Sequence, residues 1–201
     1  MAADHYYTSK PSVESNRQHW DFELKGHKLI FTTDAGVFSK KEVDFGSRVL
    51  IEAFEEPGIS GDILDVGCGY GPIGLSLAKA FPERRVDMID INERAVELAK
   101  INADRNGIEN VNIFSSDIYE KVTSTEYAAI LSNPPIRAGK KVVHEILEKS
   151  FEHLAVGGEL WIVIQKKQGA PSAMEKLESL FEEVDVVVKK KGYYIIRSKK
   201  G

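Results

Sequence analysis

An Asn-Pro-Pro triplet carries the most specific chemistry in the sequence. Asn133, Pro134 and Pro135 directly follow an apolar run at residues 128–132. Because proline has no backbone N–H, the triplet presents acceptors, namely the Asn133 side-chain oxygen and neighbouring carbonyls, with few donors. Such a set suits an exocyclic amine or an amide, whose nitrogen lone pair it would turn toward an electrophile. We therefore predict that Asn133 and Pro134 are catalytic; a proline-ended strand with Asn in a turn is the alternative.

A glycine-rich segment follows another apolar run. Residues 63–74 read ILDVGCGYGPIG, and glycines after a strand let a ligand approach the next helix closely. The literal G-x-G-x-x-G pattern is also found in dinucleotide-binding proteins. However, the preceding carboxylate would repel a pyrophosphate and suits a cation, such as the ammonium or sulfonium of S-adenosylmethionine (SAM). The residues expected to bind SAM here are Asp65, Gly67, Gly69 and Gly71; a glycine turn with only a packing role is the alternative.

Two more acids follow the next two apolar runs. Asp90 lies about 20 residues beyond the glycine segment, where an acid accepts hydrogen bonds from ribose hydroxyls, a role that fits NAD and SAM equally. Asp117 could accept from an adenine amino group while Ile91 and Ile118 sandwich the ring. A capping or turn role for Asp117 is the open alternative.

Composition limits the classes of protein to consider. The chain has 201 residues, a formal net charge of -4 and one cysteine, Cys68, which excludes a disulfide framework or a multi-cysteine zinc site. Its five histidines are scattered, so we expect no metal. No apolar run approaches the about 18 residues of a membrane span, and the N-terminus lacks the form of a signal peptide. A reducing, cytoplasmic location is therefore expected.

Strands and helices must alternate to position these residues. Apolar runs at 62–66, 86–91, 110–114, 128–132 and 159–164 are separated by segments of helical periodicity, which predicts a parallel sheet covered on both faces. The last two strands, 184–190 and 193–198, are joined by Lys191-Gly192 and must be antiparallel. The predicted fold is a doubly wound α/β fold with a seven-stranded, mostly parallel sheet. In such sheets ligands bind at the carboxyl ends of the strands.

An extension is predicted ahead of this core. Runs at 19–25 and 28–33 indicate a β-hairpin around Gly26-His27. Residues 39–42, Ser-Lys-Lys-Glu, match a capping box for a helix that ends by residues 56–58. We predict a single domain over residues 1–201, with the hairpin and helix in residues 1–60 and the SAM-binding core in residues 61–201.

Basic residues recur near the predicted carboxyl edge of the sheet. Cations in the first turn of a helix oppose its dipole, which suggests a nearby anion. Several such groups around one mouth of an acidic protein suggest an RNA backbone as partner, although a lysine-rich solvated surface is the alternative. These residues, here called the basic rim, are Arg137, Lys140, Lys141, Lys166, Lys167, Lys189, Lys190 and Lys191, with Lys40 and Lys41 near the extension.

These motifs together resemble a known family. Residues 65–71, Asp90, Asp117 and the Asn-Pro-Pro triplet resemble class I SAM-dependent methyltransferases that methylate amines. More narrowly, residues 33–39, 133–139 and 157–161 resemble the small-subunit (16S) ribosomal RNA guanine-N2 methyltransferase family, as a single-domain bacterial member. The resemblance covers residues 19 to 199.

The resemblance implies a Rossmann-like fold and methyl transfer from SAM to the N2 amine of a guanine in 16S ribosomal RNA, with S-adenosylhomocysteine as product. It implies ribosomal RNA or the small ribosomal subunit as partner of a monomer or homodimer. By position it assigns Asp65, Gly67, Gly69 and Gly71 to the SAM loop, Asp90 to the ribose, Asp117 to the adenine, and Asn133 with Pro134 to the target amine. We predict Ile91, Ile118 and Asn133 as further residues that contact the cofactor.

Two departures from the family concern the substrate. The best-known members carry a second, degenerate copy of the domain, and the resemblance here covers one copy. Many amino-methyltransferases also have an aromatic residue after the two prolines, where this sequence has Ile136; Phe38 could supply the missing face. The alternatives are a protein glutamine N5-methyltransferase, an NAD-dependent oxidoreductase and a non-catalytic RNA-binding protein.

Overall fold

The protein folds into two sheets and five helices in the part that the structure describes. The computed structural model describes residues 7–39 and 41–201. The strands are β1 Gln18–Leu24, β2 His27–Thr33, β3 Ile63–Val66, β4 Val86–Asp90, β5 Val111–Ser115, β6 Tyr127–Ser132, β7 Leu154–Gln165, β8 Glu183–Lys190 and β9 Tyr193–Lys199. The helices are α1 Phe45–Ala53, α2 Pro72–Ala80, α3 Glu93–Arg105, α4 Lys140–His153 and α5 Ala170–Glu178. Within those residues, no helix has the length and apolarity to cross a membrane.

The large sheet confirms the predicted doubly wound architecture. Its strand order is β5-β4-β3-β6-β7-β9-β8. The first five strands of this order are parallel, and β9 is antiparallel to both neighbours. One hydrophobic cluster holds α1, α2 and α3 on one face, and a second holds α4 and α5 on the other. The strand order reverses between β3 and β6, and the crevice at such a reversal is where ligands bind in open α/β sheets.

Both hairpins turn on a Lys-Gly pair. Lys25 and Gly26 have φ values of 51° and 77°, and Lys191 and Gly192 have 48° and 80°. Positive φ at both central residues belongs to the type I′ turn, whose twist matches that of the flanking strands. The first turn therefore lies one residue earlier than the predicted Gly26-His27, while the second lies where it was predicted.

The predicted start of α1 was wrong. Asp44, not Ser39, is the N-cap, and its side chain accepts a hydrogen bond from the Ser47 amide. The Ser39 hydroxyl instead donates to the Glu42 carbonyl at 2.6 Å, within a turn where Ser39 has a φ of 56°. An Asp-x-x-Ser sequence satisfies a helix N-terminus as well as a Ser-x-x-Glu sequence does, so the local pattern alone could not choose between them.

Strand β7 begins five residues earlier than the predicted residue 159. Two backbone bonds extend it: Gly157 N–H donates to the Lys200 carbonyl and Lys200 N–H to the Gly158 carbonyl. A Cβ atom on Gly158 would lie 2.8 Å from the Tyr127 carbonyl oxygen. Gly158 therefore allows close approach of two backbones.

The outer edge of β2 is bound by two side-chain amides, one from α3 and one from the C-cap residue of that helix. Asn102 accepts from Thr32 N–H at 2.7 Å and donates to the Thr32 carbonyl at 3.0 Å and the Tyr70 carbonyl at 2.8 Å. Asn106, one turn later, accepts from Ile30 N–H and donates to its carbonyl, both at 2.8 Å. The small sheet is thus held against the glycine-rich segment and α3.

Replacing Asn102 with alanine is expected to destabilise the protein by about 3 kcal/mol, because it leaves buried N–H and C=O groups unpaired at about 1–3 kcal/mol each. Asn106→Ala is the matched control: its bonds are partly exposed, so water can replace them and the loss should be about 1 kcal/mol. Urea unfolding of both variants measures the difference. Equal losses would show that burial of the Asn102 amide is not what matters.

Candidate active site

A cavity of about 300 Å³ opens at the carboxyl edge of the large sheet. It lies where the strand order reverses, as expected for this architecture. Its walls are the segments that follow β3, β4, β5, β6 and β7, together with the residues before α1 and the first turn of that helix. Among the lining residues are Tyr7, Phe38, Asp44, Ser47, Gly67, Gly69, Asp90, Ile91, Ile118, Asn133, Pro134, Ile136 and Arg137.

The glycine-rich segment forms a tight loop against the end of β4. Gly67 and Cys68 both donate their N–H groups to the Ile89 carbonyl at 2.9 Å. Gly67 and Gly69 line the cavity, and both have positive φ. Gly71 has a different place, because it is the N-cap of α2 behind the wall. A Cβ atom there would lie 2.7 Å from Leu75 Cδ1, so Gly71 permits packing of the loop on its helix.

Asp65 lies beneath this loop and does not line the cavity. Its side chain is fully buried; Oδ2 accepts from Gly74 N–H at 2.9 Å. No described residue donates to Oδ1. Burial, with a smaller effect from the Asp90 charge, raises the pKa of Asp65 to about 7. Its role at a cationic ligand group stays a prediction, and its charge would act through the loop.

Asp90 connects the end of β4 to the glycine loop. One carboxylate oxygen accepts from Gly69 N–H at 2.8 Å, and the other accepts from Asn92 N–H at 2.8 Å. Burial raises the pKa of this carboxyl to about 6, although these backbone bonds oppose the rise. The carboxylate is therefore fixed at the cavity wall, with lone pairs left for hydroxyl donors.

Of the three residues predicted to contact adenine, two line the cavity and one does not. Ile91 and Ile118 both line the cavity, as two apolar faces near Asp90. Asp117 is exposed outside the wall and accepts a hydrogen bond from the Tyr7 hydroxyl at 3.3 Å. Tyr7 itself lines the cavity, and burial raises the pKa of its phenol. Nothing in the sequence pattern indicated Tyr7, because its partner is 110 residues away.

The Asn-Pro-Pro triplet forms the wall after β6. Pro134 and Pro135 are buried and Asn133 is half-buried. The Asn133 Nδ2 group donates to Asp44 Oδ2 at 3.1 Å and to Ser47 Oγ at 2.9 Å. The side-chain oxygen accepts no hydrogen bond from the described residues. It is thus the uncommitted polar atom of Asn133, as a site for an amine requires.

Sequence reasoning missed Asp44 and Ser47. Both line the cavity, and Asp44 holds the first turn of α1 through its bond from Ser47 N–H at 3.1 Å. The signal that could have found them is the Asp-x-x-Ser spacing, which competed with the Ser-x-x-Glu spacing five residues earlier.

The substrate residues predicted next to the prolines lie at the mouth. Ile136 and Arg137 form a short 3-10 turn after Pro135. Phe38 is 43% exposed and also lines the cavity. Lys140 and Lys141 follow in the exposed first turn of α4. Phe38, Ile136 and Arg137 thus line one cavity, whereas Lys140 and Lys141 are not among its lining residues.

The rest of the basic rim follows the same edge. Lys166 and Lys167 are exposed in a turn after β7, and Lys166 N–H donates to the Gly192 carbonyl in the β8–β9 turn. Lys191 lies beside them, with its ammonium 5.0 Å from the Phe45 ring centre. Lys40 lies outside the described residues.

Cys68 belongs to the glycine-rich segment that lines the cavity. Cys68 is buried, and burial raises the pKa of its thiol well above the ordinary value, so the thiol stays protonated. In residues 7–39 and 41–201, no group of three or more His, Cys, Asp or Glu side chains could hold a metal ion.

The strand order, the antiparallel final pair and the cavity at the reversal of the strand order together define the Rossmann-like fold of class I methyltransferases. The chain belongs to the methyltransferase small domain family, which matches residues 28–197. The predicted methyltransferase class is thereby confirmed.

Individual relatives agree with this family. The chain is 67% identical over 199 residues to the uncharacterized protein YbxB of Bacillus subtilis, covering 98% of this chain and 99% of that one. It is 36% identical over 191 residues to ribosomal RNA small subunit methyltransferase C of Vibrio parahaemolyticus, covering 91% of this chain and 55% of that relative. The chain thus spans about half the length of that curated relative.

A solved structure has the same fold. It is the T. thermophilus 16S rRNA N2 G1207 methyltransferase in complex with AdoMet and guanosine. It superposes with a TM-score of 0.83 at 24% sequence identity, covering 95% of this chain and 52% of that one.

Proposed function

We propose that this protein is a SAM-dependent N-methyltransferase that methylates the exocyclic N2 amine of a guanine in 16S ribosomal RNA. The observation that carries the proposal is the uncommitted Asn133 oxygen, fixed in a cavity whose other walls suit a nucleoside. The names of the Vibrio relative and of the T. thermophilus structure support the choice of RNA.

The residues present fit SAM. Asp90 offers acceptors for ribose hydroxyls, and Ile91 and Ile118 offer apolar faces for the adenine ring. The unpaired, buried Oδ1 of Asp65 is an acceptor whose charge favours a cation above the loop. A pyrophosphate would gain nothing from that carboxylate, and this distinguishes SAM from NAD.

SAM, when bound, would supply an electrophilic methyl carbon to the amine nitrogen; S-adenosylhomocysteine would leave with its sulfur as a thioether, and the amine would lose one proton to water. The chain's own residues act by position. Asn133 Oδ1 accepts from the target N–H, which directs the nitrogen lone pair away from Asn133. Pro134 and Pro135 present no competing N–H donor. The base must leave its stack to reach the cavity, and Phe38 and Ile136 would contact it at the mouth.

Two measurements test the proposal in order. Calorimetric titration with SAM, and with NAD as control, should give micromolar binding of SAM alone. Incubation with methyl-labelled SAM and either 16S RNA or small ribosomal subunits, followed by nucleoside analysis, should then yield N2-methylguanosine. Labelled glutamine in protein instead would support the glutamine methyltransferase alternative. Binding of NAD would overturn the interpretation of Asp65.

Replacing Lys140 and Lys141 with alanine should weaken RNA binding and reduce the slope of log affinity against log salt by about 2, because each phosphate contact contributes about 1. The control replaces Lys79 and Lys100, which are exposed on α2 and α3 away from the basic rim. RNA binding measured from 50 to 200 mM salt compares the two pairs. An unchanged slope in the rim variant would mean that these lysines do not contact RNA.

A further inference from the structure

We propose that Asp44 is a positioning residue that sets the direction and polarity of the Asn133 amide. The inference rests on the proposed methylation of an amine and concerns how its acceptor is oriented. Asp44 lies 89 residues before Asn133 in sequence, yet its Oδ2 lies 3.1 Å from Asn133 Nδ2.

The neighbours of Asn133 decide which end of its amide faces the cavity. An ionised Asp44 carboxylate accepts hydrogen bonds and cannot donate them. Ser47 Oγ accepts from Asn133 Nδ2 at 2.9 Å. If the amide were rotated by 180°, its oxygen would face the carboxylate and two acceptors would repel each other. The carboxylate therefore directs the Asn133 NH2 group toward Asp44 and Ser47, and the Asn133 side-chain oxygen is left to accept from the target amine.

Asp44 is itself held in place by α1. Its Oδ2 accepts from Ser47 N–H at 3.1 Å, and its carbonyl accepts from Arg48 N–H at 3.0 Å. The adjacent Gly46 allows this arrangement, since a Cβ atom there would lie 3.1 Å from Asp44 Oδ2 and 2.8 Å from the Tyr193 ring. The orientation of the Asn133 amide is thus fixed by a helix terminus and not by its own strand end.

The charge of Asp44 also affects the strength of the acceptor. A hydrogen bond to a carboxylate is roughly twice as strong as one between neutral groups, and hydrogen bonds in series polarise one another. Electron density on Asn133 Oδ1 therefore increases, which favours the amine as it becomes positively charged. Asp44 acts through Asn133 in this step and needs no contact with the methyl group.

Two variants separate charge from position. Asp44→Asn keeps the shape and the helix cap but removes the charge, and should lower kcat about tenfold. Asp44→Ser keeps a good N-cap but cannot reach Asn133, and should lower kcat about 10²-fold. In both, the KM for RNA and the dissociation constant for SAM should stay within about twofold of wild type, because neither ligand contacts Asp44 in the proposal.

The assay uses whichever acceptor the wild-type protein methylates. If that acceptor is a protein amide, the proposed RNA function fails, but the same variants still test Asp44. Wild-type kcat in Asp44→Ser would overturn the inference, as would equal losses of kcat and SAM affinity, which a structural role predicts. Amide NMR adds a substrate-free readout: the Asn133 NH2 signals should shift and exchange faster in Asp44→Ser, and unchanged signals would also overturn it.

Discussion

Asn133→Ala is expected to lower the rate of methyl transfer about 10²–10³-fold, the usual effect of removing one preorganised polar group from an active site. The variant removes both the amide that Asp44 and Ser47 fix and the oxygen that it presents. No other described side chain is held in the same way at the end of β6. Single-turnover methylation of RNA at saturating SAM measures the chemical step directly.

Asn106→Ala is the control for this prediction. It also removes a side-chain amide with two bonds to one residue, but it lies at the C-cap of α3, outside the cavity. Its methylation rate should equal that of wild type. Near-normal turnover by Asn133→Ala itself would remove Asn133 from the mechanism, whatever its place in the cavity.

The ligand-free protein is expected to lose stability as pH rises from 4 to 8 because of Asp65. Its pKa is raised from 3.8 to about 7 in the folded state. Below pH 4 the carboxyl is protonated in both states and folding is not opposed. Between these pKa values the folded state binds the proton that the unfolded state has lost. Above pH 7 the full opposing free energy applies, about 4 kcal/mol at 1.4 kcal/mol per pKa unit.

Asp65→Asn isolates this effect from other titrations. The variant cannot ionise, so its stability relative to wild type should rise by about 4 kcal/mol between pH 4 and pH 8. The variant also loses about 1–3 kcal/mol of stability because its buried NH2 group is unpaired. This loss is the same at both pH values and does not affect the change between them. Urea unfolding at each pH gives the comparison. A difference that does not change with pH would show that Asp65 titrates normally.

Much of the fold was accessible from sequence because buried parallel strands are nearly continuous apolar runs. Strands β3, β4 and β6 lie within a residue of their predicted bounds. The start of α1 was not accessible, because Ser39 and Asp44 are both acceptable caps locally. Asp44 also accepts a hydrogen bond from Asn133, 89 residues away, a contact that the local sequence does not indicate.

The sequence predicts the site only through the rule that ligands bind at the carboxyl ends of parallel strands. That rule places Gly67, Asp90 and Asn133 on one cavity. The rule does not indicate which residues of a motif face the cavity. Gly71 is the N-cap of α2 and does not line the cavity, although its place in the motif resembles that of Gly69. Nor could it indicate Tyr7, which reaches the cavity from the far end of the chain.

The two asparagines in α3 and at its C-cap have a consequence for the behaviour of the protein at high concentration. The edge of β2 that faces away from β1 would otherwise expose backbone groups, and an exposed edge is a template on which another chain can add a strand. Asn102 and Asn106 occupy the N–H and C=O groups of Thr32 and Ile30. The helix thereby closes the edge, and self-association through β2 requires α3 to separate first.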